Sequence, residues 1–425
     1  MPLVSLFTAP AYGQTQDEVP VIEEEIAPTP LELRTRQVVD VINGDVDPVD
    51  VFSDGFLEAV PLPQLNAFTQ GLVARYGNAV SAKTVEPRYP ARAAIEVTFE
   101  RAVGKGGIAI LPDDENRVSE LIIRDIAPAN DGFAQITEEL RNLPGQASAY
   151  FGPLDGDAPL ISFNADLPLG LGSTFKFYVL AALGKEIADG TRNWGDVVPL
   201  SVKSFPSGAM QSFPQGSPHT LHTYASLMMS ISDNTATDQL IEIVGREKVY
   251  QTMVASAHEN PELSRPFMTT RELFLLKGGD KKRLDAYAKA PGTQRMAILA
   301  TLEENPPSEA EVFAAFAGKP VRIDIEWFAS PNDLANLFEY MRLTSDPEVF
   351  EVMAINKGIG ERYLNGWTYV GHKGGSEPGV RNLTWLLTDP DGTDYLLSLG
   401  WNNPDEDVDT QQLLRFAQRI LSQPR

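Results

Sequence analysis

Gly170-Leu171-Gly172-Ser173-Thr174-Phe175-Lys176-Phe177-Tyr178-Val179-Leu180 opens a long apolar run. The run predicts a buried helix over Ser173–Ala188. Ser173 and Lys176 are three apart and share one face of that helix, so the Lys176 amine can lie over the Ser173 hydroxyl. The helix N-terminus favours negative charge developing there. A buried lysine beside a second cation has a lowered pKa and can accept the serine proton. This is the only Ser-x-x-Lys in the chain, and with 23 serines and 13 lysines chance alone supplies about one. The pair gains its meaning from what accompanies it.

Two further pieces follow in order. Ser232-Asp233-Asn234 lies between two apolar helical runs. Ser-x-Asn also occurs at Ser162-Phe163-Asn164, in a strand ahead of Ser173, and at Ser330-Pro331-Asn332, where the serine reads as a helix cap. Lys-Gly-Gly occurs three times. Lys105 precedes Ser173, and Lys277 ends a helix in a charged stretch. Lys373-Gly374-Gly375 has a strand before it and two after it. Glycines at that place let a substrate lie against an edge strand.

Composition narrows the chemistry. The 425 residues carry 35 Lys+Arg against 58 Asp+Glu, a net charge of −23, which argues against nucleic acid or an anionic membrane as partner. With no cysteine, disulfides, thiolate metal sites and a Cys nucleophile are ruled out. No apolar run reaches the ~18 residues of a membrane span. His219, His222, His258 and His372 form no ligand pattern, so no metal and no cofactor is expected. There is no Gly-x-Ser-x-Gly elbow and no phosphate-binding loop. The search for a nucleophile ends on serine.

The chain reads in three parts. Residues 1–30 hold a short apolar run, Leu3–Phe7, small-residue cleavage patterns and an acidic, proline-bearing linker. This is a signal remnant or a plain terminus, and the protein is accordingly periplasmic or secreted, or otherwise cytoplasmic. Residues 31–126 predict helices Leu31–Ile42, Val49–Val60 and Gln64–Arg75, then strands Ser81–Val85, Ala91–Phe99, Gly107–Leu111 and Arg117–Asp125, a small α+β domain. Residues 127–425 predict strands Ala147–Leu154 and Pro159–Asn164, several helices, strands Leu364–Val370, Asn382–Leu387 and Tyr395–Gly400, and a closing helix Thr410–Ser422. Strands at both ends imply one antiparallel sheet built from both termini, an α+β fold.

Ser-x-x-Lys, then Ser-Asp-Asn, then Lys-Gly-Gly on a strand is the order of the penicillin-recognising serine enzymes. Over Asn164–Leu183, Thr220–Leu240 and His372–Val380, the chain resembles a class A β-lactamase-type domain. The resemblance implies a β-lactamase/transpeptidase-like fold, an antiparallel sheet flanked by helices with a helical subdomain. Residues 31–126 are similar in element order to the NTF2-like, ketosteroid-isomerase-like cone. The whole chain resembles two-domain β-lactamase-like proteins of clavulanic-acid gene clusters. The implied roles are Ser173 as acylated nucleophile, Lys176 as its base and Ser232 as proton relay. Asn234 would bind the acyl-side amide, and Lys373 would supply positive field. The N–H groups of Ser173 and Ser376, beside Gly375, would hold the oxyanion.

Two departures shape the expected substrate. Gly374 stands where the family has Thr or Ser, so a hydroxyl that helps hold a substrate carboxylate is missing; Ser376 is the candidate to replace it, and Arg381 either adds charge or is a solvated surface cation. The water-activating Glu of class A enzymes has no clear counterpart. Glu272 and Glu326 are the candidates, and Glu272 also reads as part of a helix cap begun by Thr269. The expected activity is that of an esterase with weak β-lactamase activity, on a small-molecule ester or β-lactam-like substrate. A D,D-peptidase-type peptidoglycan hydrolase or transferase and a non-catalytic ligand-binding protein are the alternatives. The oligomeric state stays open.

Overall fold

The computed structural model describes residues 28–154, 156 and 158–424. The expected signal remnant and most of the linker lie outside the described residues, as do two residues of the expected turn Asp155-Gly156-Asp157. The chain divides into two units, one ending at Asn130 and the other beginning at Asp131.

In the first unit, Thr29 caps the helix Pro30–Asn43 through a reciprocal pair. Its hydroxyl accepts from the Glu32 amide at 3.3 Å, and the Glu32 carboxylate accepts from the Thr29 amide at 2.7 Å. The expected helix Val49–Val60 is broken in two. Asp47 caps a 3-10 turn, Pro48–Asp50, and Ser53 then caps a short helix, Asp54–Ala59. Two good N-caps six residues apart each start a new element, so neither runs through. The third helix is Leu62–Tyr76. Strands Ala79–Tyr89, Arg92–Phe99, Ala102–Leu111 and Arg117–Pro128 follow as an antiparallel meander. Ile95, Val97 and Phe99 face inward and join Val38, Ile42, Phe52 and Leu65 in this unit's core.

In the second unit, five antiparallel strands stand in the order Tyr369–Glu377, Val380–Thr388, Asp394–Asn402, Gln146–Pro153, Ile161–Phe163. The sheet therefore joins both ends of the unit. The strand expected at Leu364–Val370 is displaced. Gly366, at φ 84°, turns the chain, and the edge strand starts only at Tyr369. The Lys373 motif thus lies within the edge strand and not after a strand.

Alternation along the strands divides the sheet's two faces. Trp385, Leu387, Leu397 and Leu399 pack under the helices Phe133–Arg141 and Thr410–Leu421, through Ile136, Leu140, Leu413, Phe416 and Ile420. Leu386 and Leu396 point the other way, into the helical core with Phe177, Leu180, Met228, Leu240 and Phe338. The helix at the centre of that core runs Lys176–Ala188 and is buried nearly all round, as a helix with no polar stripe must be. Among the described residues, no helix is long and apolar enough to cross a membrane.

Candidate active site

The α-helix begins at Lys176, not at Ser173 as expected. Gly172–Phe175 forms a 3-10 turn ahead of it. This turn lies directly on the edge strand, and two glycines allow it. A Cβ on Gly172, whose φ is +49°, would stand 2.5 Å from the Ser376 amide nitrogen. A Cβ on Gly375 would stand 2.0 Å from the Leu171 carbonyl oxygen and 2.4 Å from the Ser173 amide nitrogen. Backbone packed this closely brings the N–H groups of Ser173 and Ser376 to one corner of a cleft of about 730 Å³. Two adjacent amides of this kind form a ready hydrogen-bonding site for an oxyanion.

Lys176 is fully buried. Its Nζ donates to the Ser232 carbonyl at 2.7 Å, to Ser232 Oγ at 3.1 Å and to Asn234 Oδ1 at 2.8 Å. None of the three goes to Ser173. Burial, and then the charge of Lys373, push the Lys176 pKa well below its ordinary value, while Asp238 and Asp233 oppose the shift.

The chain after the helix Leu221–Ser230 is built to aim Ser232. Asp233 caps the next helix, Asn234–Val244, by accepting from the Ala236 amide at 2.9 Å, and it also binds the Ala209 and Met210 amides at 2.6 and 2.8 Å. Ser232, between the two helices, adopts a left-handed φ of 58°. Ser207 Oγ ties down its carbonyl at 2.8 Å. Asn234 Nδ2 donates to the Phe205 carbonyl at 3.1 Å, which leaves its oxygen for Lys176.

On the edge strand, Lys373 is buried, and burial, followed by Arg381, lowers its pKa to about 7. His372 stacks on Trp385 at 4.5 Å and is held neutral, its pKa brought to about 3 by burial and by Lys373. Arg381 stands opposite Ser376 in register and borders the cleft. Its Nε is buried without a hydrogen-bond partner, and burial lowers its pKa. Such a guanidinium edge suits an anionic ligand better than a solvated surface role. Ser173, Ser232, Asn234, Lys373, Gly375, Ser376 and Arg381 all line the same cleft, and the buried Lys176 reaches two of them, Ser232 and Asn234, through hydrogen bonds.

The two candidate carboxylates separate. Glu272 completes a capping box with Thr269 and forms a two-pronged ion pair with Arg246 at 2.8 and 3.1 Å. It does not line the cleft. Glu326 does. One oxygen, Oε2, accepts from the Gly172 amide at 3.1 Å and the Trp327 amide at 3.0 Å. Beside it the buried pair Lys277–Glu377 links the helix Thr270–Gly278 to the end of the edge strand. Burial, then Glu377, raise the Glu326 pKa to about 8, with Lys277 opposing. A raised carboxyl pKa means the folded state holds a proton that the unfolded state releases. Stability therefore falls as pH rises from about 5 to about 8. Thermal midpoints across this range should drop by a few degrees in the wild type, and Glu326→Gln should flatten the slope. An acyl-enzyme that accumulates only in Glu326→Gln would instead make Glu326 the water-activating group.

Sequence reasoning did not pick out Ser207, which anchors Ser232, nor Phe274, Phe313, Phe316 and Trp327, which line the cleft. The aromatic residues lie in or beside the segment Phe267 to Pro331, whose sequence carries no motif to mark them.

The chain matches the model of the beta-lactamase enzyme family over residues 133–423. Among solved structures it is similar to PBP-A, at 20% identity over 68% of this chain and 93% of that one, with a TM-score of 0.46. It is similar to a β-lactamase from Sphaerobacter thermophilus, at 21% identity, 68% and 95% coverage and a TM-score of 0.48. A class A β-lactamase from Bacteroides cellulosilyticus is 17% identical, with 68% and 94% coverage and a TM-score of 0.45. No curated protein matches the chain.

Proposed function

The chain belongs to the beta-lactamase enzyme family, and from that membership we propose a serine hydrolase that forms its acyl-enzyme on Ser173, acting on esters and, with slow release, on β-lactams. The observation that carries this reading is the Lys176 amine, buried, pKa-depressed and held against Ser232 and Asn234, which line one cleft with Ser173.

Ser173 Oγ attacks the substrate carbonyl, and its proton passes, directly or through water, to Lys176, whose unprotonated form burial favours. The Ser173 and Ser376 amides take the developing oxyanion. The proton then moves through Ser232 to the leaving oxygen or nitrogen, the carbonyl–heteroatom bond breaks, and the acyl group stays on Ser173. Lys373 and Arg381 hold a substrate carboxylate, and Asn234 takes the acyl-side amide. Water completes the cycle.

Release is the slow step for β-lactams. Glu272 is committed to Thr269 and Arg246, and Glu326 points an oxygen at two backbone amides. A penicillin should give a burst followed by slow turnover, while an activated ester turns over faster by about tenfold or more. Stopped-flow and steady-state assays on both substrates test this. Fast, burst-free penicillin hydrolysis that exceeds ester turnover would overturn it.

A further inference from the structure

We infer that the helix Glu309–Phe316, with Phe274 behind it, forms an acyl-group subsite that selects substrates with an aryl or medium-chain alkyl acyl group. This rests on the acyl-serine reading above. Phe313 and Phe316 are three apart on one face of that helix, and both line the cleft. Phe316 packs on Phe274 with ring centroids 4.4 Å apart, and Phe274 on Phe205 at 5.5 Å. Leu273 adds to the same wall. Val312 anchors the helix from behind, in the space left by Gly278, where a Cβ would lie 2.7 Å from the Val312 Cα. Phe313 is 47% exposed although its helix has a buried face to offer. An exposed aromatic at the lip of a charged cleft has apolar surface that a ligand can cover.

Placement decides which part of the substrate lies there. The proton relay Ser232 accepts from Lys176 at 3.1 Å, and the cation Lys373 lines the same cleft. The leaving group, which needs that proton, faces them. The helix Thr270–Gly278, which carries Leu273 and Phe274, is tied through Lys277 to Glu377, four residues along the edge strand from Lys373. Phe274 packs on Phe205, whose carbonyl accepts from Asn234 Nδ2 at 3.1 Å, so the aromatic wall borders the residue that takes the acyl-side amide, where the acyl substituent extends.

The probes are p-nitrophenyl acetate, butyrate and octanoate, which share one leaving group. Wild-type kcat/KM should rise from acetate to octanoate by about tenfold or more. Phe313→Ala and Phe313→Ala/Phe316→Ala should shrink the octanoate-to-acetate ratio by about fivefold or more, and Phe313→Leu should restore part of it. Because Phe313 is exposed, its single variant keeps the fold. An unchanged ratio in both Ala variants overturns the subsite. So does a preference that follows the alcohol in a series of acetyl esters, since the wall would then hold the leaving group. Undiminished hydrolysis of the acetate by Ser173→Ala would reject the acyl-serine reading instead, a result distinct from either.

Discussion

Lys176→Met lowers ester kcat/KM by about 10³–10⁴-fold, within the span that a positioned general base supplies. Met fills the buried volume without a charge, so the helix Lys176–Ala188 stays packed. What disappears is the amine assigned to accept the Ser173 proton. In the wild type the rate should rise with pH as Lys176 loses its proton, and the rise should occur well below the ordinary lysine range. Burial and Lys373 both push the amine that way. Removing Lys373 as Lys373→Met should shift the rise to higher pH. The residual rate of Lys176→Met should lose this dependence. A variant with the wild-type pH profile and rate would show that another group takes the proton.

Gly375→Ala should cost about 10²–10³-fold in kcat, the range for losing an oxyanion-hole donor. The new Cβ would meet the Leu171 carbonyl oxygen at 2.0 Å, the Ser173 amide nitrogen at 2.4 Å and the Gly172 carbonyl carbon at 2.6 Å. All three are backbone atoms, so no rotamer change relieves them, and the turn carrying Ser173 must lift off the strand. Gly374→Ala is the control. Its Cβ would meet the flexible end of Leu383 at 3.1 Å and can be accommodated by a small shift. The loss should appear in kcat more than in KM, since the donors act mainly on the transition state. Equal effects from the two alanines would place the oxyanion elsewhere.

Most of the site was legible in sequence because its chemistry needs particular residue types at fixed intervals. Ser173 and Lys176 are separated by one turn, Ser232 and Asn234 flank an N-cap, and Lys373 precedes two glycines. The structure gathers them around one cleft. The strand alternation that predicts a sheet from both ends of the second unit also survives in the observed order. What failed is local backbone detail. The helix start at Ser173 became a 3-10 turn, and the strand before Lys373 slid onto Lys373 itself once Gly366 turned the chain. Neither change alters the hydrophobic pattern, so periodicity could not register it. Glu272 already read as a cap partner of Thr269, as it is, while nothing in sequence marked Glu326. Tertiary partners complete the separation: Arg246 claims one, and burial beside Glu377 holds the other near the cleft. The insertion between Glu272 and Glu326 was expected to cover one edge of the cleft, but no motif in it marked the aromatic residues Phe274, Phe313 and Phe316 that do so.

The central claim is a covalent bond to Ser173. Intact-mass spectrometry of the protein mixed with a penicillin, followed over time, reads it directly. The mass should rise by that of one penicillin, peptide mapping should place the adduct on Ser173, and the adduct should decay slowly. Ser173→Ala should show no adduct. An adduct on another residue, or one that persists in Ser173→Ala, would contradict the account.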